Sequence, residues 1–242
     1  MTGLLPPCDV IVDSAPRSGQ QNMDLDAMLL QHGLTSNRSI VRIYRWSEPT
    51  VTVGYFQRGE PAAEPLDQLP TVTRLTGGGA ILHHNEWTYS CVLPDCHPVR
   101  DNPTELYRIV HRALVRLFHE CGAATFLRSE SPDFKTASEG VAEPFLCFLR
   151  QDPNDIVCGI HKVVGSAQRR RRGTILQHGS LLMQHSVLVP GVPGLCDLAP
   201  DFDSERFARL LPPTIANAIA TEIRYRDFTA QEIVAANALS RS

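Results

Sequence analysis

Short strand patterns fill the first half of the chain and recur in the second. Apolar residues alternate with polar ones, or run together over a few positions, and turn-forming residues separate these stretches. Gly159 is such a turn residue in the second half. The pattern predicts strands over residues 10–13, 40–45, 49–55, 71–75, 80–82, 87–93, 155–158, 162–167 and 174–183.

Helical spacing of apolar residues marks the remaining elements. Asn22 is the predicted N-cap of the first helix, in which Asp24 and Asp26 suit the positive end of the helix dipole. Thr229 and Glu232 have the spacing of a capping box, which predicts a last helix after them. The other predicted helices cover residues 23–32, 105–121, 202–211 and 213–225.

The order of these elements indicates the fold class. Strands and helices are interspersed, which predicts an α/β or α+β fold with a mixed β-sheet flanked by helices. At 242 residues and 43% hydrophobic content, the chain has the size of one domain over residues 1–242. Its formal net charge of −3 argues against a general nucleic-acid binder, for which a basic domain is typical.

Neither a targeting segment nor a cysteine framework is evident. The N-terminal residues lack the features of a secretory signal, and no run of 18 apolar residues predicts a membrane span. We therefore expect a cytoplasmic protein without membrane contact. The seven cysteines form an odd set with no CxxC pair, so neither disulfides nor a structural metal site is predicted.

A run of three glycines, Gly77, Gly78 and Gly79, is the most unusual local feature. Glycine has no side chain to bury, so the run indicates either a plain turn or a loop whose amides approach an anion or a carbonyl. It matches neither the phosphate-loop nor the dinucleotide-binding pattern. Arg74 before the loop would add a charge, and strand geometry allows only one of His83 and His84 to share a face with its ligand.

A second candidate site surrounds Lys162, which lies in an apolar stretch. A lysine in such a stretch either extends to the surface or faces an anionic group in a pocket. Small residues nearby leave room for a ligand or for close backbone approach. They are Gly165, Ser166 and Ala167 after the lysine, and Gly179 beside His178 in the next predicted strand.

Cys147 stands between Leu146 and Phe148, an environment that by itself favours a buried, inert thiol. A lysine ammonium beside the sulfur would instead favour the thiolate and make it nucleophilic. The sequence leaves these two interpretations open.

Four consecutive arginines, Arg169, Arg170, Arg171 and Arg172, are predicted to form a turn with Gly173. Four positive charges at a turn of an acidic protein indicate a solvated tip or a docking site for an acidic partner more than a nucleic-acid patch.

Several segments together resemble the lipoate–protein ligase A and octanoyltransferase family, within the biotin/lipoyl ligase superfamily. The matching segments run in the family's order from about residue 22 to residue 183, and the family core is expected to reach about residue 225, with no separate accessory domain. They read NMDLDAMLL, RIYRWSEPTVTVGYFQ, RLTGGGAILHHNEWTYSCVLP and CGIHKVVGSAQRRRRGTILQHGSLLM.

The resemblance implies a fold and a binding site. The fold is a mixed sheet flanked by helices, related to the catalytic core of class II aminoacyl-tRNA synthetases. The site is a tunnel for an eight-carbon acyl chain. The residues that the resemblance implies for acyl binding are Arg74, Gly77, Gly78, Gly79, His83, Gly165, Ser166, Ala167, His178 and Gly179.

The resemblance also implies a reaction. Transferases of the family take octanoyl from acyl carrier protein through a cysteine thioester, and Cys147 followed by Phe148 resembles the segment that carries their nucleophile. We therefore expect Cys147 and Lys162 to be the catalytic residues of an octanoyltransferase. Its acceptor would be a lysine of a lipoyl domain or of the glycine-cleavage H protein, and it would need neither metal nor nucleotide.

Two alternatives stay open. An ATP-dependent lipoate–protein ligase would bind ATP and Mg²⁺ and use Cys147 only as a wall residue. A non-catalytic relative would bind acyl groups or lipoyl domains through the same pocket. The chain departs from the family at His84, often a carboxylate, at His161, often Arg or Lys, and at Gly79, an arginine in many transferases.

Overall fold

The computed structural model describes residues 5–57, 59, 62, 64–132 and 146–239. Its strands are β1 (Cys8–Val12), β2 (Ser39–Tyr44), β3 (Thr50–Val53), β4 (Thr71–Thr73), β5 (Ile81–His83), β6 (Glu86–Leu93), β7 (Phe126–Leu127), β8 (Ile156–Cys158), β9 (His161–Arg171), β10 (Thr174–Leu182) and β11 (Ile223–Tyr225). Its helices are α1 (Gly19–Gly33), α2 (Glu105–Glu120), α3 (Leu195–Leu198), α4 (Ser204–Ile219) and α5 (Ala230–Leu239).

A mixed sheet of eight strands forms the centre of the fold, in the order β11-β1-β2-β6-β10-β9-β8-β7. Strand β1 runs parallel to both of its neighbours, and the other neighbouring pairs are antiparallel. A second sheet of three strands has the order β4-β3-β5. The predicted mixed sheet is confirmed.

Helices cover both faces of the large sheet. On one face, α2 and α4 bury apolar residues such as Val110 and Phe207 against Val41 and Tyr89 of the sheet. On the other face, α1 packs residues such as Leu29 on the sheet, and α5 packs against α1. No helix in the described part of the chain is long and apolar enough to cross a membrane.

Helix α1 begins earlier than the sequence pattern predicts. Ser18 is its N-cap: the Gln21 N–H donates to Ser18 Oγ, and the Ser18 N–H donates to Gln21 Oε1. The predicted cap, Asn22, lies inside the helix and accepts a hydrogen bond of 2.7 Å from Arg42. The prediction missed the Ser-x-x-Gln capping box, which adds one turn.

Residues 202–225 form one helix and a strand, and the prediction of two helices is wrong. Helix α4 continues through Pro212 and Pro213, although each proline removes a backbone donor. Its apolar face, which includes Phe207, Leu211 and Ile215, is fully buried, and this burial outweighs the lost hydrogen bonds. Strand β11 then pairs with β1 at the edge of the sheet.

The prediction of a four-arginine turn is also wrong. Strand β9 extends to Arg171, which pairs with Thr174 of β10. The turn is therefore only Arg172 and Gly173, whose φ angles of 48° and 85° suit a two-residue hairpin loop. Arg169, Arg170 and Arg171 thus project alternately from the two faces of a strand.

Candidate active site

A cavity lies between strands β9 and β10 of the large sheet, strand β5 of the small sheet, and the segment around Cys147. It brings together predicted residues that are far apart in the sequence. Those on its wall are Arg74, Gly77, Gly78, His83, Cys147, Gly165, Ser166, Ala167, His178 and Gly179. Lys162 and Gly79 lie directly behind the wall.

The segment that carries Cys147 is fixed to the end of the glycine loop. The Cys147 N–H donates to the Ala80 carbonyl at 2.7 Å, and Leu146 forms a parallel bridge with Ala80. Phe148 follows the cysteine and also lines the cavity. Because of this pairing, the thiol faces the cavity and stays half-buried.

Lys162 meets Cys147 from strand β9. Its buried ammonium Nζ lies 3.7 Å from the Cys147 sulfur, 3.2 Å from the Cys147 carbonyl oxygen and 3.0 Å from Asp155 Oδ2. The lysine reaches the cysteine by crossing Gly165, where a β-carbon would lie 2.6 Å from Lys162 Cε. Gly165 therefore makes room for the lysine. We call Cys147, Lys162 and Asp155 the thiol wall.

Asp155 is a site residue that the sequence analysis missed. Burial raises the pKa of its carboxyl despite the neighbouring Lys162, and its Oδ2 also accepts the Asp152 N–H at 2.8 Å. The β8–β9 hairpin places Val157 opposite Lys162, with a register shift just before it. Asp155, the residue before that hairpin, therefore lies beside Lys162. The register of the hairpin is the sequence signal that could have identified Asp155.

His111 of α2 supports the loop that carries Asp155. Its Nδ1 lies 2.5 Å from the Asn154 carbonyl oxygen and therefore carries the proton that is donated there. Its Nε2 then accepts the Ser166 hydroxyl at 2.8 Å. Burial lowers the pKa of His111 to about 4, which keeps the ring neutral. The Ser166 hydroxyl is thereby directed to α2 and away from the predicted acyl contact.

Arg74 holds the glycine loop from inside. Its buried guanidinium donates to the carbonyls of Gly77 and Gly79, at 3.1 and 2.8 Å, and to both oxygens of Thr52. Burial lowers the pKa of this arginine to about 10. We call Arg74, Gly77, Gly78 and His83 the glycine wall.

Gly79 and Gly54 both allow close packing around this loop. A β-carbon at Gly79 would lie 2.6 Å from Nε of Arg150, whose guanidinium covers the glycine. Gly54, which the sequence analysis did not single out, would collide with the Gly78 carbonyl oxygen if it carried a side chain. Gly79 therefore allows Arg150 to pack on the loop and does not form part of the cavity surface, so its predicted acyl contact is not seen.

His83 continues the buried network behind the glycine wall. Its ring stacks on Trp46 at 3.8 Å, with Nε2 2.7 Å from Thr52 Oγ1 and Nδ1 2.8 Å from Glu86 Oε1. Burial lowers the pKa of His83. Glu86 also accepts hydrogen bonds from Thr88 and Ser180, at 2.7 and 2.6 Å. His84 is directed the other way, to Ser186, as strand geometry predicts.

His178 lines the cavity, but its nitrogens have protein partners. Nε2 lies 2.6 Å from Thr76 Oγ1, and Nδ1 lies 3.3 Å from Asp26 Oδ2. Burial works to raise the pKa of Asp26, but His178 and Arg42 outweigh it and the pKa is lowered. Asp26 is thus an internal hydrogen-bond acceptor, so the predicted dipole role does not describe it. Gly179 makes room for the Tyr89 ring.

The cavity combines a nucleophile with an enclosed apolar surface. All seven cysteines lie in the described ranges and are free thiols, and Cys147 has beside it the ammonium of Lys162, the one lysine within those ranges. Among the residues that the structure describes, no group of three His, Cys, Asp or Glu side chains converges as a metal site. A thiol beside an ammonium suits attack on an acyl carbonyl.

A known protein family and several known proteins match most of this chain. The family model of the lipoyl protein ligase A/B catalytic domain matches residues 18–211. Octanoyltransferase LipM of Halalkalibacterium halodurans is 36% identical over 181 residues, which cover 71% of this chain and 64% of that protein. LipM of Kyrpidia tusciae is 39% identical over 171 residues, or 67% of this chain and 61% of that protein. The match spans less than two thirds of these relatives' length.

Solved structures share the fold. A lipoate-protein ligase A bound with ATP has a TM-score of 0.73 at 20% identity, over 99% of this chain and 95% of that chain. A bi-partite lipoate protein ligase from Thermoplasma acidophilum has a TM-score of 0.73 at 17% identity, over 99% and 93% of the two chains. At these identities the likeness is one of fold, and it confirms the predicted fold class.

Proposed function

We propose that this chain, which belongs to the lipoyl protein ligase A/B catalytic domain family, is an octanoyltransferase that works through a thioester on Cys147. The donor is octanoyl-acyl carrier protein. The acceptor is the lysine of a lipoyl domain or of the glycine-cleavage H protein. The reaction needs neither a metal nor a nucleotide.

The observation that carries the proposal is the contact of 3.7 Å between the Lys162 ammonium and the Cys147 sulfur. A cation beside a thiol favours the thiolate, which is the reactive form. The resemblance of this chain to octanoyltransferases over 67–71% of its length supports the same assignment. A ligase would have no use for a nucleophile at this position.

The first half of the reaction forms an acyl-enzyme. The Cys147 sulfur attacks the carbonyl carbon of the octanoyl thioester, a new carbon–sulfur bond forms, and the carrier's carbon–sulfur bond breaks. The proton lost by Cys147 passes to the departing carrier thiol. The Lys162 ammonium, which is held in an ion pair with Asp155, stabilises both thiolates in turn.

The second half transfers the chain to the acceptor. The neutral amine of the acceptor lysine attacks the acyl-enzyme, the amide bond forms, and the Cys147 sulfur leaves and takes up the proton that the amine gives up. Lys162 and backbone N–H groups near Gly77 or Gly165 stabilise the oxyanion of each tetrahedral intermediate. The apolar cavity wall, including the ring face of His178, holds the acyl chain.

Intact-mass measurement tests this proposal. The protein is mixed with octanoyl carrier protein in the absence of ATP, and we expect one octanoyl adduct that hydroxylamine removes. Cys147→Ala should form no adduct, whereas Cys158→Ala, which changes another half-buried cysteine, should form it normally.

Three outcomes would contradict the proposal. An adduct that persists in Cys147→Ala would place the acyl group elsewhere. Transfer that requires ATP and free lipoate, with release of pyrophosphate, would instead assign the ligase reaction. Binding without turnover in either assay would identify a non-catalytic relative.

A further inference from the structure

Arg169 shares the cavity face of strand β9. Ala167, two positions earlier, lines the cavity and pairs with His178. Side chains alternate along a strand, so Arg169 lies on the same face as Ala167, and Arg170 lies on the opposite face. Consistent with this, Arg171 reaches Gln31 of α1, which covers the cavity face, at 2.9 Å. Arg169 and Arg171 therefore extend the cavity face of β9 with two positive charges beyond the end of the cavity.

The Arg169 guanidinium lies over the Tyr55 ring, 5.0 Å from its centroid. Among the residues that the structure describes, it has neither a hydrogen bond nor an ion pair, although it is half-buried. Phe56, next to that tyrosine, is 85% exposed and lies against Gly77 of the cavity wall. Arg169 thus stands at the mouth of the cavity, with its donors available to a ligand.

The distance from the thiol wall to Arg169 indicates which ligand Arg169 would bind. Gly165 lies against Lys162, and four residues of strand separate it from Arg169, about 13 Å. An acyl carrier presents its acyl chain on a phosphopantetheine arm. About thirteen bonds separate the sulfur of this arm from its phosphorus, which is the length of four or five residues of extended polypeptide, or roughly 15 Å. An arm laid along β9 would therefore bring its phosphate to Arg169.

We propose that Arg169 forms a subsite for the phosphate of the donor's phosphopantetheine arm. The proposal rests on the octanoyltransferase function and specifies how its donor binds. The Tyr55 ring packs against the Arg169 guanidinium, whose N–H groups can donate two hydrogen bonds to the phosphate oxygens. Gly165 and Ala167, the small residues on the cavity face of β9, leave a path for the arm between the thiol and the arginine.

Two donors that differ only in the phosphate test the subsite. Acyl-enzyme formation is measured with octanoyl-pantetheine and with octanoyl-4′-phosphopantetheine. We expect the phosphorylated donor to have a kcat/KM about tenfold higher, as a charge-assisted contact at a partly exposed site gives. Arg169→Gln should abolish this preference while its rate with octanoyl-pantetheine stays at the wild-type value.

Arg170→Gln is the matched control, because it removes the same charge from the opposite face of the same strand. It should retain the full preference. Equal loss in both variants would indicate only a general effect of net charge and would overturn the subsite, and so would an unchanged preference in Arg169→Gln. The octanoyl carrier protein itself should show the same dependence on Arg169.

Three further outcomes can be distinguished from one another. The acyl-enzyme can be loaded with octanoyl-pantetheine and then given the acceptor domain; a defect of Arg169→Gln confined to this step would assign the arginine to the acceptor and overturn the donor subsite. If wild type forms the Cys147 adduct equally with both donors, the subsite is refuted and the octanoyltransferase function stands. If no donor forms an adduct, both proposals fail.

Discussion

The two walls of the cavity are built in opposite ways. Behind the glycine wall, hydrogen bonds join the loop carbonyls through Arg74, Thr52 and His83 to Glu86, and every step is buried. The thiol wall has one buried ion pair, between Lys162 and Asp155, and a half-buried thiol. Although the buried Arg74 Nε has no hydrogen-bond partner among the described residues, a buried network of this length is costly to disrupt. We infer that the glycine wall maintains the shape of the site, and under the proposed function the thiol wall supplies the reactive groups.

The largest expected effect separates these roles at Lys162. Lys162→Met removes the cation beside the sulfur, and we expect acyl-enzyme formation to slow by about a hundredfold or more. It also leaves the Asp155 carboxyl buried without its partner, which costs about 3 kcal/mol of unfolding free energy. Intact-mass time courses and urea denaturation measure the two effects.

The double variant Lys162→Met with Asp155→Asn is the control. It removes both charges, so most of the lost stability should return while acyl-enzyme formation stays slow. If the double variant regains activity together with stability, the lysine acts only by holding the fold, and the division between the two walls is wrong.

Acid should weaken the thiol wall through His111. The pKa of the ring is about 4 in the folded protein, below the ordinary value of about 6.5, so the unfolded chain binds more protons between these values. The neutral His111 ring therefore contributes its full share of the unfolding free energy above about pH 6.5. This contribution falls as the pH drops, and at pH 5 the unfolding free energy is lower by about 2 kcal/mol. Urea denaturation at pH 7.5 and pH 5.0 measures the fall.

His111→Gln isolates this contribution. Burial also lowers the pKa values of His83 and His97, so the wild-type protein loses stability in acid from several groups. The variant should lose about 2 kcal/mol less than wild type between the two pH values. Equal losses of unfolding free energy in wild type and His111→Gln would show that protonation of His111 does not cause the acid sensitivity.

The same contrast separates what the sequence could predict from what it could not. The mixed sheet was predictable because strand patterns are local, and the positions of Arg74, Cys147 and Lys162 came from a resemblance that covers several segments. Asp155 was missed because its role depends on a hairpin register with a shift in it. The run of helix α4 through two prolines depends on burial against the sheet, which no local pattern shows.

Gly54→Ala tests the shape of the glycine wall. The new β-carbon would meet the Gly78 carbonyl oxygen, which belongs to the backbone and cannot move without the loop. We expect a loss of about 2 kcal/mol or more in unfolding free energy, as overpacking gives. Thermal and urea denaturation measure this loss, and an unchanged stability would show that the loop is not rigid.

Gly165→Ala places the same methyl group against the thiol wall, and we expect the smallest effect from it. Its β-carbon would meet the flexible end of the Lys162 side chain, 2.6 Å away, so the side chain can move and the unfolding free energy should change by less than about 1 kcal/mol. Moving the ammonium away from the Cys147 sulfur should nevertheless slow acyl-enzyme formation about tenfold.

Paired measurements of rate and stability on Gly54→Ala and Gly165→Ala test the difference between the two walls. One added methyl group should mainly lower stability in Gly54→Ala and mainly slow the reaction in Gly165→Ala. If Gly165→Ala costs as much stability as Gly54→Ala and leaves the rate unchanged, the two walls do not differ in role.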